Sequence, residues 1–169
     1  VYSSLFICWG AMAALYYYYK IPKHMTNRKI SGVYHHRVEN FKFPLTRGFD
    51  DYFYAIHSRH AEIRRTDLHH DLCLLSSSSE GGLYLLQSQN GRKVFVTGHA
   101  EYDLETLKKE YLRDQERRMS PKLPQNYFPE NDTQQTPLMS WRAHATLLFS
   151  NWINYYVYQQ TPYRLEEIH

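Results

Sequence analysis

The stretch SSLFICWGAMAAL, residues 3–15, constrains the chain more than any other. Leu5 to Ile7 is a short apolar run of the kind that forms a buried strand. Gly10 to Tyr19 follows with Ala, Met and Leu, all good helix formers, and Pro22 closes that helix. One residue, Cys8, stands at the seam. A strand that turns into a helix at a single nucleophile is an elbow, which lifts the side chain above the sheet. Such a turn calls for a small residue two places on, here Gly10. The helix N-terminus beneath the sulfur favours its anion, and the Trp9 N–H is aimed where an oxyanion would form. An inert buried cysteine is the alternative reading, because free cysteines are commonly core residues.

A cysteine nucleophile needs a base, and the base needs an orienting group. The stretch KVFVTGHAEYD offers both. Val94 and Val96 alternate with Phe95 and Thr97, a period of two that predicts a strand. His99 and Glu101 are two apart just beyond it, so in extended chain they project to one side. Glu101 would then fix the imidazole while His99 faces the thiol. The alternative is a loop histidine beside a surface carboxylate.

The rest of the chain fits around these elements. Its 169 residues suit one domain, and 43% hydrophobic with 22% charged residues suits a globular core. A net charge of +3 without a block of like charges speaks against nucleic acid. Val1 to Tyr19 is short for a membrane span, lacks a basic leader and ends in four tyrosines. Two cysteines are too few for a disulfide framework and fit a reducing, cytoplasmic setting. Ile30–Val38 and Leu45–Ile56 read as short strands and loops, and Leu72–Leu75 as a brief apolar run. Leu83–Gln87 and Lys93–Thr97 read as a hairpin turned by Asn90-Gly91. Asp103 is expected to cap a helix to about Arg118, with Leu104, Leu107 and Tyr111 on one face. Ser140 is expected to cap another from Trp141 to about Gln159, whose Phe149, Trp152, Tyr155 and Tyr156 would be core. Strands interleaved with helices predict an α/β domain.

Several blocks, in order along the whole chain, carry a resemblance: LFICWGAMAALYYYYKIPK, KISGVYHHRV, PLTRGFDDYFYAIHSRH, VFVTGHAEYD and LFSNWINYYVYQQTPY. Together they resemble the homoserine O-acyltransferases of methionine biosynthesis, of the O-succinyl or O-acetyl type. The resemblance implies a class I glutamine amidotransferase-like (flavodoxin-like) three-layer α/β fold with a Cys-His-Glu triad. Residues 1–169 would then be the C-terminal part of one such domain, with the family's strands ahead of the elbow missing. Val1 does not read as a natural start, and a fragment lacking those strands is expected to be inactive alone. Cys8 would be the acyl-accepting nucleophile, His99 the base and Glu101 its partner. Lys29, Ser58 and Arg113 match the family's substrate-binding lysine, serine and arginine. The substrates implied are L-homoserine and acetyl-CoA or succinyl-CoA, with no cofactor, no metal, no nucleic acid and no membrane; a homodimer is compatible. Spacing alone would place Arg113 on a solvated stripe with Glu105 and Lys109. A glutamine amidase with the same triad, or an inactive interaction module, are the other readings.

The sequence departs from the family at Met12, Lys20, His35 and Ala100, where glutamine, glycine, glutamate and proline are usual. None of these is a triad member. HHDLC, His69 to Cys73, invites a metal reading but no second Cys/His pair has finger spacing, and the trio His57, His60 and Glu62 lacks the tighter context a ligand set needs. Cys73 is expected in the core.

Overall fold

A computed structural model describes residues 3–162. Val1 and Tyr163, which bound the regions quoted above, lie outside the described residues. Among the described residues, six strands form one sheet: β1 (Ser4–Ile7), β2 (His24–Val38), β3 (Tyr52–Glu62), β4 (Leu72–Ser78), β5 (Gly82–Ser88) and β6 (Lys93–Val96). Their order is β1-β6-β5-β4-β2-β3. Among these six strands β1 and β6 pair in parallel, and the other pairs are antiparallel. Short connections explain this, since tight links join antiparallel neighbours whereas parallel ones need a crossover.

Three helices cover the sheet: α1 (Trp9–Tyr19), α2 (Thr106–Glu116) and α3 (Arg142–Asn151), the last continued by a π-helical stretch, Trp152–Tyr158. Alternation along β6 separates two cores. Val94 and Val96 join Leu107, Trp141 and Leu148 on one face, while Phe95 joins Ala11, Met12 and Leu15 of α1 on the other. The result is the expected three-layer α/β arrangement. Trp141 is fully buried and its Nε1–H donates to the Tyr102 carbonyl at 3.2 Å, tying the start of α3 to the segment after β6.

Several local expectations shift. β2 begins at His24, well before Ile30, because pairing with β3 and not side-chain pattern sets its length. Lys20 adopts a left-handed conformation and its N–H bonds the Tyr16 carbonyl, so α1 stops before Pro22 is reached. The β5–β6 link has four residues; the Gly91 N–H closes it on the Ser88 carbonyl, so Asn90-Gly91 is not a two-residue turn. Neither Asp103 nor Ser140 caps its helix by a side chain. Glu105 and Trp141 occupy those positions with helical backbone angles, which do not suit a side-chain cap. Of the four aromatics expected as core after Ser140, Tyr156 is buried and Phe149, Trp152 and Tyr155 pack against the core half-exposed.

Candidate active site

Cys8 stands alone between β1 and α1 with φ 48° and ψ −114°. A positive φ at a residue with a side chain is uncommon and costly, and it persists only where its surroundings impose it. Here the Cys8 N–H donates to the Val96 carbonyl at 2.7 Å and its carbonyl accepts the Met12 N–H at 3.1 Å, so strand and helix both grip the turn. The elbow read from the sequence is therefore present. Its demand for a small residue at Gly10 is not: a Cβ there would meet nothing within 4 Å among the described residues. Trp9 is the first residue of α1, so its N–H has no acceptor within the helix.

His99 and Glu101 follow β6 as expected. The His99 ring donates from Nδ1 to Glu101 Oε1 at 2.7 Å, leaving Nε2 for proton transfer. The His99 N–H holds the Ile56 carbonyl at 2.9 Å, and Gly98 allows that approach: a Cβ there would lie 2.6 Å from the same carbonyl. Burial works against the imidazolium, but interactions with the Cys8 sulfur and the Glu101 carboxylate outweigh it and push His99 up to about 9. Tyr102 stacks on the ring, centroids 4.1 Å apart.

Ser58 joins this centre to a polar cluster. Its carbonyl lies 3.9 Å from Cys8 Sγ, and its hydroxyl donates to Glu110. The other Glu110 oxygen accepts the Tyr102 hydroxyl at 2.5 Å. Lys29 Nζ sits 3.5 Å from Glu110 Oε2 and donates to Asp114 Oδ2 at 3.0 Å. Arg113 donates to Asp114 Oδ1 from Nη2 at 2.9 Å and from Nε at 3.2 Å. Lys29, Ser58 and Arg113, drawn from β2, β3 and α2, thus meet in one network. Glu110 and Asp114, the carboxylates that connect them, were not singled out by sequence reasoning. They lie four apart on α2, one helical turn, and that spacing was the available signal. Burial opposes both charges, yet hydrogen bonds from Ser58 and Tyr102 hold Glu110 below its ordinary range, as those from Lys29 and Arg113 hold Asp114.

The two ligand sets read from the sequence are not assembled as read. His57 is fully buried, with Nε2 3.0 Å from His36 Nε2, so it is committed within the core and apart from any ligand set with His60 and Glu62. His69, His70 and Asp71 do approach one another at the surface, without Cys73, which packs half-buried against the core. Met12 is buried against Leu15 and its neighbours. A cavity of about 850 Å³ lined by Arg37, Glu39, Arg64 and Ser77 holds none of the six expected site residues.

A cysteine at a strand–helix turn of positive φ, a His–Glu pair just beyond β6 and a three-layer α/β arrangement define a fold of the class I glutamine amidotransferase-like type. Solved structures agree on the fold. A glutamine amidotransferase from Methylobacillus flagellatus superposes with a TM-score of 0.65 at 10% identity, over 98% of this chain and 66% of that one. Another from Thermotoga maritima gives 0.61 at 15%, over 89% and 60%. The chain itself belongs to the homoserine O-succinyltransferase family, whose sequence model matches residues 1–163. It is 52% identical to a homoserine O-acetyltransferase of Agathobacter rectalis, over 96% of this chain and 53% of the relative. One from Methanomassiliicoccus intestinalis is 54% identical, over 99% and 55%. The chain thus spans about half the length of the relatives it matches. No helix among the described residues is long and apolar enough to cross a membrane.

Proposed function

We propose that this chain supplies the catalytic and amino-acid-binding part of a homoserine O-acyltransferase that works through an acyl-cysteine. The observation that carries the reading is the Glu101–His99–Cys8 arrangement at the elbow. The Cys8 thiolate attacks the thioester carbonyl of acetyl-CoA or succinyl-CoA. The tetrahedral oxyanion forms beside the Trp9 N–H and collapses, expelling CoA thiolate, which takes the proton from His99. The homoserine hydroxyl then gives its proton to neutral His99 Nε2 as its oxygen attacks the acyl group. Cys8 leaves as thiolate and the ester departs. Every proton taken up is returned within the cycle, and no metal or cofactor enters the steps.

The polar cluster supports an amino acid as acceptor. Lys29 and Arg113 carry two positive charges and Glu110 and Asp114 two negative ones, so the cluster is neutral but strongly dipolar. Homoserine is likewise a zwitterion without net charge, and its carboxylate and ammonium each require a charged partner. We further read residues 1–169 as the C-terminal part of one acyltransferase domain acting in methionine biosynthesis in the cytoplasm. The test uses the full-length protein containing this chain: acyl-CoA alone should leave one acyl adduct, and homoserine should discharge it as O-acylhomoserine. Glutamate release from glutamine with no O-acylhomoserine would replace this reading with an amidase, and no turnover of either substrate would leave an interaction module.

A further inference from the structure

We propose that Asp114 is a positioning residue for the amino-acid substrate: it aims the free fork of Arg113 and the ammonium of Lys29 toward the acceptor site. This inference rests on the acyltransferase reading above. Asp114 is a carboxylate with only 6% of its side chain exposed, on a helix whose flanking residues Arg113 and Gln115 are exposed. Such burial is costly unless every oxygen is occupied by a donor. Both are: Oδ2 takes Lys29 at 3.0 Å, and Oδ1 takes the Nε and Nη2 of Arg113 at 3.2 and 2.9 Å.

The edge of the guanidinium that is used matters more than the ion pair. A guanidinium has five N–H donors in a fixed plane. Asp114 engages one from Nε and one from Nη2, so three remain: both on Nη1 and the second on Nη2. These form the terminal edge, whose spacing matches a carboxylate for two parallel hydrogen bonds. Without Asp114, a half-exposed arginine has many rotamers and no preferred direction for that edge. Lys29 is constrained in the same way from the other side. It stands on β2, which the loop preceding α3 braces through Val33 N–H to the Gln125 carbonyl at 2.8 Å and Gln125 N–H to the Ser31 carbonyl at 2.9 Å. One buried carboxylate therefore fixes two cations from separate elements, Lys29 on β2 and Arg113 on α2, and Glu110 one turn away links them to Ser58 and the nucleophile.

The experiment is steady-state and burst kinetics on the full-length protein with acyl-CoA and L-homoserine. Asp114→Asn should raise KM for homoserine about tenfold or more, the scale of one displaced charge-assisted pair. KM for acyl-CoA and the burst of acyl-enzyme should stay within about twofold, because neither uses the cluster. Combined with Arg113→Ala, the loss should fall well short of the product of the single losses, since both changes disable the same fork. Should Asp114→Asn fail to fold, Arg113→Lys tests the same point: it keeps the charge but cannot use one edge on Asp114 and offer another, so it should lose nearly as much as Arg113→Ala. Unchanged homoserine KM in Asp114→Asn, fully multiplicative losses, or an Arg113→Lys enzyme close to the unmodified one would each overturn the proposal. An unmodified protein that does not acylate homoserine at all would instead overturn the acyltransferase reading, and this inference with it.

Discussion

Replacing Glu101 by glutamine isolates what the carboxylate does for His99. The amide can still present its carbonyl to Nδ1–H, so ring orientation and tautomer survive while the charge is lost. The His99 value of about 9 against an ordinary 6.5 corresponds to about 3 kcal/mol favouring the imidazolium, at 1.36 kcal/mol per unit. Cys8 and Glu101 share that figure, after overcoming burial. The Glu101 carboxylate is 42% exposed, so water screens its part, and about 1–2 kcal/mol is a fair share. Glu101→Gln should therefore lower the His99 midpoint by about one unit and slow turnover by about tenfold, less than removal of a buried triad carboxylate does. The stability change has a defined sign. His99 is raised above its unfolded value, so its contribution is fully present below about pH 6.5 and is lost as pH climbs through about 9. The variant should lose stability at neutral pH and converge with the unmodified protein in alkali. NMR titration of the imidazole nitrogens, with His99→Gln to assign the signal, measures the midpoint directly. A midpoint unmoved by Glu101→Gln would refute the reasoning and leave the elevation of His99 to the Cys8 sulfur.

Intact-protein mass spectrometry after exposure of the full-length protein to acyl-CoA should show one adduct, absent in Cys8→Ala and retained in Cys73→Ala; an adduct surviving Cys8→Ala would remove Cys8 as nucleophile. Gly98→Ala would press a Cβ against the Ile56 carbonyl and the Tyr84 ring, and should cost about 2 kcal/mol or more in denaturant unfolding. Gly10→Ala, in open space within α1, should be neutral or stabilising by about 0.5–1 kcal/mol; a clear loss would show that something outside the described residues covers it. Burial holds His36 down at about 4 and His57 well below 6.5, so the unfolded chain binds the extra protons. Stability should thus fall on acidification from about pH 6.5, by about 1.4 kcal/mol per unit for each of the two. Equal unfolding free energies at about pH 6.5 and pH 5 would show that the pair accepts protons without disruption.

The elbow was legible because three local signals coincide there: an apolar run, a nucleophile and a helix-forming stretch. His99 and Glu101 were legible for a similar reason, standing just beyond an alternating strand. Lys29, Ser58 and Arg113 came only from family resemblance, since each is an ordinary polar residue until the fold assembles β2, β3 and α2. Asp114 was invisible for a physical reason: a carboxylate on a charged helix face looks solvated unless one knows that a lysine from another strand covers it. The helix starts were misjudged because Asp103 and Ser140 are good caps by type, whereas the backbone enters both helices already in helical geometry. The length of β2 was hidden because its first half is polar on both sides and is held by pairing with β3.

Cys8 and His99, the nucleophile and base proposed above, are both suspended from main-chain atoms. Cys8 hangs by its amide from Val96, His99 by its amide from Ile56, and the sulfur lies beside the Ser58 carbonyl. A peptide carbonyl is the one acceptor that a point mutation cannot delete. Val96 or Ile56 can change to another apolar residue and the anchoring bond persists, as long as the strand keeps its register. The gap between sulfur and imidazole is therefore heritable through the chain's path more than through its spelling. A lineage can rewrite many of its letters with this spacing left to main-chain geometry that few substitutions, such as one at Gly98, can reach.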